Sequence, residues 1–237
     1  MSATLALRQV SQGPTDSLLT VEFSGDSAGP GLAAALAAAD PDRSVWRFDP
    51  VTTLERAGTP LDHPALARAC AEELLRRRPG GAPVTVLGYC SAAPLARHVA
   101  RALADAGATP RRVLLVAAAR PTVATARAEY AALLGKLGRA APVADDPPGD
   151  GDPTALAARW GAELTAQART FVAEQGFPPE ESAAAADEIA GRYRAWLWFL
   201  LDAAYRADAR LPCPHAELAD ERAALDALAA EPAAGSG

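Results

Sequence analysis

Short apolar runs alternate with longer amphipathic ones along the first half of the chain. Leu18–Phe23 (LLTVEF), Val45–Phe48 (VWRF), Val84–Leu87 (VTVL) and Val113–Ala117 (VLLVA) read as strands. Between them, Gly31–Ala39, Pro64–Arg78 and Ala93–Ala106 read as helices, the second with Leu66, Cys70, Leu74 and Leu75 at helical spacing. Asp49-Pro50 closes the second strand, and Pro79-Gly80-Gly81 and Gly107 stop the two later helices. Strands in alternation with helices of this length predict a mostly parallel α/β sheet with right-handed crossovers. The uninterrupted apolar character of the strands agrees, because parallel strands are buried on both faces.

The alternation stops after Arg120. Thr122–Leu137, Thr154–Glu174 and Glu180–Ala207 read as helices with no strand between them, and Ala140–Pro153 is a Pro/Gly/Asp-rich loop. The expected organisation is a core over 1–120, a helical insertion or lid over 121–207, a C-terminal strand and helix over 208–230 and a disordered tail over 231–237. Five of the chain's aromatics, Tyr193, Trp196, Trp198, Phe199 and Tyr205, fall within the last helix of the insertion. They either pack that helix or, as Trp196, Trp198 and Phe199, line an apolar substrate pocket.

Composition narrows the function. The 237 residues carry a net charge of −6, which argues against a general nucleic-acid binder. Sixty residues are Ala against one Lys, one Ile and no Asn, so Arg-for-Lys and Ala-for-Ser choices say little about physics. No apolar run is long enough to span a membrane, and Met1–Val10 lacks the pattern of a signal peptide. The three cysteines, Cys70, Cys90 and Cys213, lack paired spacing, which suits a reducing cytoplasm and predicts neither a disulfide framework nor a metal site.

The most informative segment is Gly88-Tyr-Cys90-Ser-Ala92-Ala-Pro-Leu. A strand runs through Gly-x-Cys-x-Ala straight into a helix, and Pro94 fits only a first helical turn. Small residues two before and two after a central residue are what a nucleophile elbow requires, because strand and helix backbones must approach closely there. Such an elbow holds the thiol at a helix N-terminus, where free N–H groups favour a thiolate and an oxyanion.

These residues resemble the α/β-hydrolase thioesterases that serve polyketide synthases and nonribosomal peptide synthetases. Phe23-Ser-Gly-Asp-Ser-Ala28 resembles that family's loop after the first core strand. Gly88 to Ala100 resembles its elbow and helix, with Cys for Ser. Leu211 to Arg222 resembles its post-lid strand. The resemblance implies a three-layer α/β-hydrolase-like fold with a helical lid, shortened at its C-terminal edge. It further implies Cys90 as nucleophile, and an oxyanion hole from Ser91 and the Ser24–Gly25 loop. The substrate would be an acyl thioester presented on the phosphopantetheine arm of an acyl or peptidyl carrier protein, with no bound cofactor. Arg120, Arg127, Arg192 and Arg194 are candidates by position for meeting an acidic carrier.

The rest of a catalytic triad is not assembled by position. Asp220 is the candidate acid, with Glu221 beside it; a helix cap is the alternative. No histidine follows Asp220, and His63, His98 and His215 sit at unsuitable places. Three options follow: Cys90 accepts and passes on acyl groups without a dedicated base, another group supplies the base, or the protein binds a carrier, acyl ligand or biosynthetic partner without catalysis. A general esterase is a further, separate class.

Overall fold

The computed structural model describes residues 5–14, 16–23, 31–78, 83–140, 152–176 and 178–230. The loop candidates Ser24 and Gly25, most of the Ala140–Pro153 loop and the 231–237 tail lie outside the described residues.

The chain divides into two compact units. The first, residues 1–53, 61–120 and 207–237, holds a six-stranded sheet. Its strands are β1 (Leu7–Ser11), β2 (Ser17–Val21), β3 (Ser44–Phe48), β4 (Val84–Tyr89), β5 (Pro110–Val116) and β6 (His215–Leu218), in the order β1-β3-β2-β4-β5-β6. Only β1 runs antiparallel, against β3; every other pairing is parallel. All five residues of β2 are buried, as expected of a central parallel strand.

Helices α1 (Leu32–Ala39), α3 (His63–Arg77), α4 (Ala93–Asp105) and α8 (Glu221–Ala229) connect or follow these strands, and α2 (Pro50–Ala57) lies between β3 and α3. Leu32, Ala33 and Leu36 of α1 and Ala224 and Leu228 of α8 share one apolar cluster with Leu18, Val45, Leu87, Leu114 and Val116. That cluster contains no residue of α3 or α4, which pack against each other, α4 on β4 and β5 and α3 on β1. The result is three layers, with α1 and α8 on one face of the sheet and α3 and α4 on the other.

Two elements escape the sequence pattern. β1 shows only Leu7 fully buried and carries an irregularity between Gln9 and Ser11, so its alternation is too weak to read. α2 begins at the Asp-Pro pair that looks like a strand stop. Asp49 caps it, accepting from the Thr52 N–H at 3.0 Å and the Thr52 hydroxyl at 2.9 Å, and Pro50 needs no donor there.

The second unit comprises residues 54–60 and 121–206. Its helices are α5 (Val123–Lys136), α6 (Pro153–Glu174) and α7 (Pro179–Tyr205). α6 and α7 form the most extensive helix pair, and α5 packs chiefly on α7. Trp160 of α6 stacks on Tyr130 of α5 with ring centroids 4.7 Å apart, and the Tyr130 hydroxyl donates to Glu163. No helix among the described residues is long and apolar enough to cross a membrane.

Candidate active site

Cys90 lies between β4 and α4, in a single 3-10 turn over Cys90–Ala92. Its φ is +51°, a left-handed conformation that costs a non-glycine residue about 1–2 kcal/mol. The neighbours enforce it. A Cβ at Gly88 would stand 2.6 Å from Ala96 Cβ and 2.9 Å from Ala93 Cα, so β4 and α4 meet over a position that only glycine fills. Ala92, Ala93 and Ala96 are all buried. The Cys90 carbonyl accepts from the Ala93 N–H and, at 3.3 Å, from the Ala119 N–H, which holds the turn from both sides. This is the geometry of a nucleophile elbow: a strained residue, partly exposed, at the start of a helix.

Register shows what else reaches this end of the sheet. Val21 pairs with Gly88, Tyr89 with Val116, and Val116 with Leu218. Glu22 therefore leaves β2 at the level of Tyr89, and Asp220 and Glu221 follow one turn beyond the same level on β6. Glu22 is 3% exposed. Its carboxylate accepts from the Leu32 and Ala33 N–H groups at 2.9 and 3.2 Å and pairs with Arg47 Nε at 3.0 Å. Burial raises its pKa above 4.5, against the opposing pull of those N–H groups and of Arg47. The Tyr89 phenol pKa is also raised, first by burial and then by the nearby acidic side chain of Glu221.

The two neighbouring acids have different surroundings. Asp220 is exposed, and its Oδ1 accepts from the Ala223 N–H at 2.8 Å as the N-cap of α8. Glu221, the next residue, is the one that meets Tyr89. The chain signal for Glu221 is only its adjacency to Asp220; which of the two turns toward the elbow depends on the phase at which α8 starts.

The histidines lie elsewhere. His215 opens β6, exposed, three residues before Leu218, which is about 10 Å back along the strand direction and two strands from β4. His63 is 1% exposed at the start of α3, and its ring lies edge-on to that of His98, 6.2 Å away. Among the described residues, the side chain within reach of Cys90 Sγ is its neighbour's hydroxyl, Ser91 Oγ, at 3.8 Å. The arrangement thus brings together a partly exposed thiol, the helix-start N–H of Ser91 and a set of carboxylates, with no imidazole hydrogen-bonded to the sulfur among the described residues. Among the described residues no group of His, Cys, Asp and Glu could hold a metal ion.

The aromatic candidates belong to the helical unit. Trp196 stacks on Phe199 with centroids 6.1 Å apart and donates from Nε1 to Glu129 at 3.2 Å. Phe199 is fully buried. Trp198 alone of the three lines an open cleft, formed within that unit by α6, α7 and residues 54–60. Of the arginine candidates, Arg120 pairs with Asp208 at 3.6 Å and Arg192 with Glu55 at 3.5 Å, while Arg194 Nη1 donates to Thr165 Oγ1 at 3.1 Å.

Strand order, three layers and the elbow after β4 define an α/β-hydrolase-like protein. Residues 34–145 match the family model of the thioesterase domain, so the resemblance to α/β-hydrolase thioesterases holds across the elbow and its helix. None of the curated proteins is similar enough in sequence to match. Among solved structures, the chain is similar to the type II thioesterase BorB from the borrelidin biosynthetic cluster, at 24% identity over 90% of this chain and 76% of that one, with a TM-score of 0.46. It is similar to the RedJ thioesterase from the prodiginine pathway of Streptomyces coelicolor, at 20% identity over 86% and 70%, with a TM-score of 0.44. A third is the NocB thioesterase domain in covalent complex with a fluorophosphonate nocardicin G analog, at 18% identity over 90% and 76%, with a TM-score of 0.47.

Proposed function

We propose that the protein handles acyl thioesters in polyketide or nonribosomal peptide biosynthesis, with Cys90 as the acyl acceptor. The observation that carries this is the left-handed Cys90 at the head of α4, the position from which an elbow nucleophile attacks. In the forward step the Cys90 thiolate attacks the carbonyl carbon of a carrier-bound thioester. A new C–S bond forms to Cys90, the bond to the phosphopantetheine sulfur breaks, and the proton lost by Cys90 passes through solvent to the departing thiolate. The Ser91 N–H, with a second donor from the Ser24–Gly25 loop, stabilises the transient oxyanion. Exchange of one thioester for another needs no activated water. A thiol without a dedicated base therefore suits transfer better than hydrolysis, where a histidine contributes most. Asp220 as acid and a basic landing patch for the carrier belong to the same reading.

Intact-protein mass spectrometry after incubation with an N-acetylcysteamine thioester tests it. An acyl adduct present in the wild type and missing in Cys90→Ala is expected. An unmodified wild-type protein overturns covalent chemistry.

A second reading has its own support: among the described residues no histidine is hydrogen-bonded to the Cys90 sulfur. It makes the protein a noncatalytic thioesterase-like partner that binds a carrier, an acyl ligand or a biosynthetic enzyme. It predicts carrier binding without an adduct, and pathway output unchanged by Cys90→Ala.

A further inference from the structure

The cleft within the helical unit has features that packing alone does not require. It encloses about 300 Å³. Its walls come from small side chains of α6 and α7, including Ala158, Gly161, Ala162 and Ala195, and its floor includes Trp198, itself 9% exposed. Two charged side chains, Glu55 and Arg194, line it. Glu55 is neutralised by Arg192 at 3.5 Å. Arg194 pairs with no carboxylate among the described residues; its one hydrogen bond goes to the neutral Thr165 hydroxyl at 3.1 Å.

Gly161 explains how Arg194 arrives. A Cβ at that position would lie 3.1 Å from Arg194 Cδ and 3.2 Å from Cγ, so the bare backbone of α6 gives the arginine stem its track across the wall. The stem covers apolar surface and leaves the guanidinium at the edge, with donors to spare. An apolar slot beside an uncompensated guanidinium is complementary to an amphiphilic anion.

We propose that this cleft binds a medium-chain aliphatic carboxylate, with the chain along Ala158, Ala162 and Trp198 and the carboxylate on Arg194. At about 300 Å³ the cleft stands at the lower end of the range for small-molecule sites, which suits a ligand as small as octanoate. The assignment rests on the lining of the cleft alone and not on Cys90 chemistry.

Calorimetric titration of the full chain with octanoate, octanol and octylamine at neutral pH and low salt tests the assignment. Octanoate is expected to bind about tenfold tighter than octanol, as a charge-assisted hydrogen bond at a partly wet site provides, and octylamine not to bind. Arg194→Gln, an exposed position, should remove the preference for octanoate and leave octanol binding unchanged. Ala158→Trp, also exposed, should weaken both ligands by filling the slot. Cys90→Ala should leave octanoate binding as it is, which separates failure here from failure of the thioester reading. Equal affinity for octanoate and octanol, an unaffected Arg194→Gln, or no octanoate binding at all would overturn it.

Discussion

Replacing Gly88 by Ala probes the elbow most directly. The added methyl would lie 2.6 Å from Ala96 Cβ and 2.9 Å from Ala93 Cα. Carbon atoms rest at about 3.5–4.0 Å, so each contact is roughly 1 Å too short. Neither neighbour is the end of a flexible side chain, and Ala93 Cα is backbone in the first turn of α4. The strain is relieved only by moving that helix off β4, and with it the turn that holds Cys90. Overpacking of this kind costs about 3 kcal/mol at its upper range. For a chain of this size that lowers the melting temperature by about 6–12 °C. Guanidinium unfolding of wild type, Gly88→Ala, Ala96→Gly and the double variant reads the term as a cycle. The double variant should recover about 1–2 kcal/mol of coupling, because it removes the shorter contact and leaves the longer. Gly135→Ala in α5 is the control: no heavy atom lies within 4 Å of its added methyl, and the helix should gain about 1 kcal/mol. Alkylation of Cys90 by iodoacetamide, read by mass, should change rate in Gly88→Ala and not in Gly135→Ala. A Gly88→Ala protein within about 0.5 kcal/mol of wild type, or a cycle without coupling, would refute the close packing of β4 on α4.

Three further outcomes follow from the same end of the sheet. Cys90→Gly should be about 1 kcal/mol more stable than Cys90→Ala, since glycine alone adopts φ +51° without strain, and paired melting curves check this. Asp220→Ala should cost about 1 kcal/mol through loss of the α8 cap while Asp220→Asn retains stability; an acyl-adduct rate that falls in both variants alike would instead make Asp220 the acid. Glu22 has a folded pKa above its unfolded one, so the folded state holds the proton over a range where the unfolded chain has lost it. Its contribution to stability is present below about 4.5 and declines as pH rises through the raised value. The stability of wild type relative to Glu22→Gln should therefore fall across that acidic window and then level off, and a difference independent of pH would rule out the assignment.

Much of the fold is legible in the chain because its signals are local. β2, β3, β4 and β5 are short apolar runs bounded by turn residues, and α3 to α7 carry helical periodicity with caps or breakers at their ends. The elbow is legible for the same reason: Gly88, Cys90 and Ala92 must be small or special where backbones approach, whatever the rest of the chain does. Elements whose stability comes from distant partners are not legible. β1 is held by β3 and by the Ala6 N–H bond to Thr53 Oγ1, 47 residues away, and its own pattern is nearly polar. Asp220 and Glu221 are adjacent letters, and only the start of α8 makes one a cap and the other a neighbour of Tyr89.

The sequence by itself determined the alternating architecture, the strained turn at Cys90 and the scarcity of histidine, all properties of residue type and spacing. The tertiary structure decided which groups meet. Parallel register brings Glu22, Tyr89 and Glu221 to one level and leaves His215 about 10 Å back along β6. Helix phase sends Trp196 and Phe199 into mutual stacking and leaves Trp198 on the cleft. Register and phase are set by the burial of whole faces against one another, so no local stretch of chain encodes them alone.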